Sequence, residues 1–405
     1  MPASAAVHDS PKSPPSGVVA ASPPRGRTAG VLCIALGIFV IVTTEILPIG
    51  LLPSMAAGFG VSDGTAGLLV TLPGLLAAVS APGVAIVVGR ADRRLVLVAL
   101  VALLAVVNVL TACAPWFWLA IVARALLGVV IGGFWSIGAA LAPRLVPAER
   151  VPAATAMIFA AVPVGSVLGV PLGTQLGEHA GWRVVFAVLA GLAGVTAVIV
   201  ALSLPALPGR EAVRLRVLAG HLRHSRGIRT AVWVTALIVV AHFAAYTYVT
   251  PFLRDAAHVG GRWVSMYLLV YGVAGIAGTF LAGRAIPRSA RATFMSAAFL
   301  IAGTVALLPL LGRLHSAAAL GLLVVWGVAY GAVPACSQAY FLRGAPEAPE
   351  AVTVLFTSSF QLTLAAGALL GGIMVDATSP STLMATAAVP AALAGVFAWA
   401  ARRDG

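Results

Sequence analysis

Charge is what this sequence has least of. Only 9% of its 405 residues are charged, with 12 acids and one lysine, Lys12, beside 24 arginines. A soluble domain carries roughly 25% charged residues, so a chain that is 60% apolar cannot cover a water-facing surface. Soluble enzymes, disordered chains and disulfide-rich secreted domains are excluded at this step. Cysteine is nearly absent as well. Cys33, Cys113 and Cys336 show no C-x-x-C spacing and read as small apolar residues, so neither a disulfide nor a bound metal is expected. There is no Gly-x4-Gly-Lys-Ser/Thr phosphate loop, which excludes ATP as a driving force. No Ser-His-Asp set lies in a recognisable motif, so the chain is not read as an enzyme and no cofactor is expected.

What the sequence has is long uncharged runs. A membrane-spanning helix needs about 20 mostly apolar residues. The gaps between charges supply residues 64–89, 95–123, 125–143, 151–177, 184–209, 230–253, 263–283, 293–312, 317–342, 351–375 and 377–401. A first segment, 31–52, is interrupted only by Glu45, which makes twelve candidate spans. Lipid offers no partner for backbone N–H and C=O groups, so each run is expected to be a helix. The fold class is therefore an all-α membrane protein.

The arginines orient it. With the N-terminus in the cytoplasm, 20 of the 25 basic residues fall on the inner side, and only Arg183, Arg254, Arg262 and Arg313 lie outside. The positive-inside bias puts both termini in the cytoplasm, and the net charge of +13 then needs no nucleic-acid partner. The preference for Arg over Lys points to GC-rich coding and a bacterial inner membrane. Residues 1–29, rich in Pro and Ser, read as a disordered cytoplasmic tail without a signal peptide's apolar region. Residues 205–229, with six arginines, read as a basic cytoplasmic linker between a bundle over 30–204 and another over 230–401, followed by a short tail at 402–405.

The two halves repeat. Gly89-Arg90-Ala91-Asp92-Arg93-Arg94 is echoed by Gly283-Arg284-Ala285-Ile286-Pro287-Arg288. Gly128-x3-Gly132 has its counterpart in Gly327-x3-Gly331, and Gly165-x3-Gly169 in Gly367-x3-Gly371. The offsets, 194, 199 and 202, are nearly constant. Two pseudo-symmetric six-helix bundles joined by a basic linker are the plan of a secondary transporter.

Four motifs give that plan a family resemblance. Glu45 stands in Thr43-Thr44-Glu45-Ile46-Leu47-Pro48, and Pro48 cannot donate to the Thr44 carbonyl. An acid deep in a span is a functional hypothesis by default. Arg124-x3-Gly128-x3-Gly132 places a rare arginine inside the fourth span, with Trp135 three turns on along the same stripe. The third motif is Arg90, Asp92, Arg93 and Arg94 in the turn after the second span. The fourth is Gly165, Gly169, Pro171 and Gly173, with Gly181-Trp182-Arg183 behind it. Over residues 30–401 the chain resembles a major facilitator superfamily transporter, of the twelve-span bacterial drug:proton antiporter branch that exports sugars, nucleosides or drugs. The resemblance implies that Glu45 is the protonation site; that Arg124 shares in proton coupling is expected from the depth of the two residues in the membrane. It also implies that the Arg90–Arg94 loop latches one conformational state. The glycine motif would pack the fifth span against the other half, and its presence favours efflux. The loop departs from the pattern: its leading Gly is one position early and Leu95 replaces a second Gly.

Thr43, Thr44, Trp135, His242, Tyr246, Gln338 and Gln361 are expected to line the substrate cavity, with Thr235, His242 and Tyr246 sharing one face of the seventh span. Glu45 and Arg124 enter at the same membrane depth and are expected to approach each other. The expected partners are thus a small-molecule substrate, protons and the lipid bilayer, for a monomer. The expected function is proton-coupled export, including drug resistance. The rivals are a facilitator or importer without antiport and, from another class, a polytopic membrane enzyme or receptor.

Overall fold

The computed structural model describes residues 26–89, 91–138, 141–208, 225–345 and 349–400. The 1–29 and 402–405 tails and the 205–229 linker therefore fall largely or wholly outside the described residues, as does Arg90. Among the described residues, eleven helices are long and apolar enough to cross a membrane. One of them, Gly261–Leu307, is two spans joined at a kink where Ser289 leaves helical geometry two residues after Pro287, so the described residues make twelve passes.

The first span is Gly26–Phe59, and the second runs through Asp63–Ala66 and Leu68–Val87. The third and fourth are Arg93–Ala112 and Phe117–Gly138. The fifth is Val151–Val164 and Val170–Ala180, joined by a π-helical turn at Gly165–Gly169, and the sixth is Trp182–Ser203. The seventh is Arg226–Thr247, the eighth and ninth share Gly261–Leu307, and the rest are Ser316–Gly344, Pro349–Ala377 and Pro380–Ala400. The third span ends at Ala112 rather than at Ala123, because the turn at residues 113–116 carries no charge and Arg124 lies two turns inside the fourth span. The sixth likewise stops at Ser203, short of Gly209. Large apolar side chains such as Val79, Leu202, Phe280 and Ile373 remain exposed on the outside of the bundles, where lipid covers them, and Trp116, Trp118, Trp263 and Trp399 stand exposed near span ends.

The sequence repeats are repeats of packing. In the fourth span a Cβ on Gly128 would lie 2.5 Å from the Pro73 carbonyl, so the fourth and second spans touch backbone to backbone. In the tenth, Gly327 and Gly331 lie equally close to the eighth, with Ala274 Cβ 3.0 Å and the Thr279 N 2.9 Å from the positions their Cβ atoms would take. Ser80 Oγ donates to the Gly128 carbonyl and Thr279 Oγ1 to the Gly331 carbonyl, each at 2.9 Å. Arg94 bonds the Ala201 carbonyl, tying the third span to the sixth, and Arg291 Nε bonds the Ala398 carbonyl at 2.9 Å, tying the ninth to the twelfth. Asp92 Oδ1 caps the third span by accepting from Arg94 N, and Ser289 Oγ caps the ninth by accepting from Ala292 N. The second span packs against the eleventh and the fifth against the eighth, and these two seams hold the bundles together.

Candidate functional site

The site grows from the break in the first span. Without a proton donor at Pro48, the Thr44 carbonyl has no helical partner, and Arg124 Nη1 donates to it at 2.7 Å from the fourth span. The guanidinium is fully buried, 4.9 Å from the Phe186 ring centroid. Asn108, from the third span, donates from Nδ2 to Thr44 Oγ1 at 3.3 Å and to the Leu104 carbonyl at 3.0 Å. Arg124 Nε and Nη2 and Asn108 Oδ1 are buried with no protein partner. Glu45 makes no ion pair with Arg124, although each lies within range of the other's charge. Its carboxylate turns to the other bundle, where Gln361 Nε2 of the eleventh span donates to Glu45 Oε1 at 2.9 Å. Both residues are buried, at 8% and 6% exposure. The eleventh span comes this close because Gly74 of the second has no Cβ: one would stand 2.9 Å from the Gln361 carbonyl.

Facing this pair, the second bundle carries an aromatic cluster. Trp326 Nε1 donates to His242 Nδ1 at 3.1 Å, so that nitrogen is an acceptor. The His242 ring stacks on Tyr330 with centroids 3.3 Å apart, and Tyr246 and Tyr271 stack beyond it. His242 and Tyr246 are buried within the cluster, and Thr235 Oγ1 on the same face is buried without a partner. Tyr330, half-buried, is the ring whose hydroxyl lies in range of the Glu45 charge. Sequence reasoning singled out neither Asn108 nor Tyr330. The Trp326/Tyr330 spacing of four residues, one helical turn, was the available signal for the second.

Other expected cavity residues divide. Thr43 Oγ1 bonds the Gly165 carbonyl at 3.4 Å and Thr44 is held by Arg124 and Asn108, so both serve contacts inside the first bundle. Trp135 is half-buried beside the first bundle's core, and Gln338 is half-buried on the tenth span. The glycine motif faces differently from the expectation. Gly165, Gly169 and Gly173 lie against Phe39, Thr43 and Leu47 of the first span, within their own bundle. What the fifth span turns toward the eighth is Val167, at 2.8 Å from a Cβ placed on Gly272. A π-helical turn at Gly165–Gly169 interrupts the span between Pro163 and Pro171, and the stripe faces the first span on both sides of it. The loop residues also stay home. Asp92 Oδ1 accepts from Leu207 N at 2.9 Å, Arg93 Nη2 donates to the Gly89 carbonyl at 3.1 Å, and Arg94 reaches Ala201.

The other bonds that cross between bundles lie at the far end of the molecule. Thr250 Oγ1 donates to the Ile49 carbonyl at 2.8 Å, and Arg254 Nη2 pairs with Glu178 Oε1 at 3.2 Å. Asp376 accepts from Ser62 Oγ at 2.6 Å and from Gly64 N at 3.0 Å. A cavity of about 560 Å³ lies among them, lined by Gly50, Ser54, Thr174, Glu178 and Arg254. At the end that bears the termini, the bonds of Arg94, Asp92, Ser225 and Arg291 remain within one bundle or the adjoining linker. The bundles are thus fastened at the far end.

Comparison with known proteins agrees with this fold. The chain is 35% identical over 371 residues to the transcription regulatory protein OpdE of Pseudomonas aeruginosa, covering 90% of this chain and 91% of that protein. It is 31% identical over 365 residues to the purine ribonucleoside efflux pump NepI of Escherichia coli, covering 89% and 92%. Among solved structures it shares its fold with a bacterial homolog of the human lysosomal transporter Spinster in an inward-facing, unoccupied conformation, at a TM-score of 0.73 and 16% identity over 94% of this chain and 98% of that one. The human organic anion transporter MFSD10 matches at 0.72 and 18% identity, over 93% and 100%. The Major Facilitator Superfamily profile matches residues 34–357, and with relatives this similar over nine-tenths of its length the chain belongs to that superfamily of transporters.

Proposed function

We propose that this protein exports a small organic solute across the bacterial inner membrane in exchange for protons, with purine nucleosides the first class to test. One observation carries the reading: among the described residues, Glu45 is the one acid in the interior of a span, and its carboxylate lies where the two bundles meet. An ionised carboxylate out of water is costly unless it is paired or neutralised, so a site that exchanges a proton for a solute's donor group suits this position. The similarity to a purine ribonucleoside efflux pump supports export and supplies the solute class.

The mechanism follows from the geometry. With both termini in the cytoplasm, the face fastened by Thr250, Arg254 and Asp376 is the outer one, and solute enters from the cytoplasm. Ionised Glu45 accepts a hydrogen bond from the solute in place of Gln361, and the Tyr330 ring offers an apolar face beside it. After the bundles rock, a proton from outside neutralises Glu45 and releases the solute. Return to the inward-facing state delivers that proton to the cytoplasm. Arg124 holds the broken first span in shape and supplies the positive charge that balances the ionised acid. The loop of Arg90, Asp92, Arg93 and Arg94 then serves the opposite state, when the cytoplasmic ends close.

Inverted membrane vesicles test this directly. Adenosine is expected to drive proton movement, and Glu45→Gln is expected to abolish it while the protein still inserts. Adenosine transport that continues undiminished after the proton gradient is collapsed would establish a facilitator instead.

A further inference from the structure

The bonds that fasten the far end form a ladder, and its innermost rung differs from the rest. Asp376 at the rim and Gln361 belong to one helix and are 15 residues apart, about 22 Å along its axis at 1.5 Å per residue. Between them come the Glu178–Arg254 pair and the Thr250–Ile49 bond, which lies one turn of the first span beyond Glu45. Opening the far end has to break every rung. Only the rung at Glu45 sits among the apolar middle turns of the spans and ends on an ionisable group.

We propose that Gln361 is the residue through which the second bundle senses the proton on Glu45. This rests on the proton-coupled reading above. A hydrogen bond to an ionised acceptor is roughly twice as strong as one between neutral groups. When Glu45 is ionised and no solute is bound, Gln361 is held tightly and the far end stays shut. When Glu45 takes a proton, its oxygens lose their charge, the rung weakens, and the bundles become free to part on that side and to close again. Arg124 cannot do this work, because its guanidinium bonds the Thr44 carbonyl inside the same bundle. The other ionisable groups facing Glu45 are Arg124 from the fourth span and Tyr330 from the tenth, while Asp63, Asp255, Asp376, Glu178 and Arg254 stand at the rim. Gln361 is therefore a positioning residue, acting through Glu45.

The experiment reads opening without a solute. Ser54 lines the far-end cavity, and the native Cys113 is exposed near the outer end of the third span. In a chain carrying Ser54→Cys, with Cys33 and Cys336 replaced by serine, a membrane-impermeant maleimide is applied from outside at pH 5.5 and 8.5. The ratio of labelling at position 54 to that at Cys113 cancels the reagent's own pH dependence. This ratio is expected to be several-fold higher at pH 5.5 when Gln361 is present. In Gln361→Leu it is expected to be equally high at both pH values, and Gln361→Met repeats the test should leucine perturb folding. Adding Gln361→Leu to Glu45→Gln should change nothing further. A pH response that survives in both Gln361 variants while Glu45→Gln abolishes it would overturn the role of Gln361 alone. A response that survives Glu45→Gln would instead overturn the proton-coupled reading beneath it.

Discussion

Arg124 of the fourth span donates to the backbone carbonyl of Thr44, 2.7 Å away, in place of the hydrogen bond that Pro48 cannot make. A proline four residues after a carbonyl and an arginine on another helix thus form one unit. The charged side chain fills a vacancy in the backbone and is spared from pairing with the acid next to it.

This unit predicts an epistatic pair. Arg124→Leu leaves the Thr44 carbonyl buried without a partner, which costs about 1–3 kcal/mol. Pro48→Ala gives the helix back its own donor. The double variant is therefore expected to recover most of the stability lost in Arg124→Leu, with a coupling energy of about 1 kcal/mol or more in a thermal or denaturant unfolding cycle. Additive losses would mean that Arg124 stabilises the bundle through some other contact.

Glycines of equal sequence standing should behave unequally. Gly128→Ala places a Cβ 2.5 Å from both the Pro73 carbonyl and Leu76 Cβ, so the second and fourth spans have to separate, and a drop in melting temperature is expected. Gly327→Ala, its counterpart, meets Ala274 Cβ at 3.0 Å and should behave alike. At Gly194 nothing lies within 4 Å. There Gly194→Ala is expected to be neutral or to stabilise by up to roughly 1 kcal/mol, through the lower flexibility of the unfolded chain.

What the sequence makes legible follows from how local each signal is. The spans show in hydropathy because lipid demands whole apolar helices, and the repeat shows in the glycines because close helix contact tolerates little else. Glu45 and Arg124 stand out because charge within a span is rare. The partner of Glu45 does not stand out. Gln361 was one polar residue among several on the second bundle, and only the contact of the eleventh span with Gly74 brings it to the acid. The turn between the third and fourth spans is hidden because its residues, Cys113 to Trp116, are as uncharged as the helices they join. The glycine stripe of the fifth span faces the first span rather than the other bundle, and small-x3-small spacing alone does not say which neighbour a stripe meets.

Orientation has its own check. The loop residue Gly260 lies at the end fastened by Asp376, and Arg288, exposed, lies at the end that bears the termini. In intact cells a cysteine at position 260 is expected to react with an impermeant maleimide. One at position 288 is expected to react only after the membrane is opened. The reverse pattern would invert the direction of transport that the arginine distribution implies.

The rim of the far end offers the last prediction. Asp376 accepts from Ser62 Oγ and Gly64 N at the start of the second span, joining the eleventh span of one bundle to the second of the other. Ser62 also caps that start by accepting from Thr65 N at 3.1 Å, so its hydroxyl serves two tasks. Asp376→Ala removes both crossing bonds and leaves the cap in place. The far end should then open more often, raising maleimide labelling of Ser54→Cys from outside several-fold while stability changes little. Gly64→Val attacks the same contact by bulk, because a Cβ there would lie 2.5 Å from Asp376 Oδ1, and it should shift labelling in the same direction. Ser62→Ala removes one crossing bond together with the cap, so it is expected to give a smaller rise in labelling and a measurable loss of stability, about 1 kcal/mol. Equal labelling in all three variants would show that the rim carries no share of the closure and that the inner rungs hold the far end by themselves.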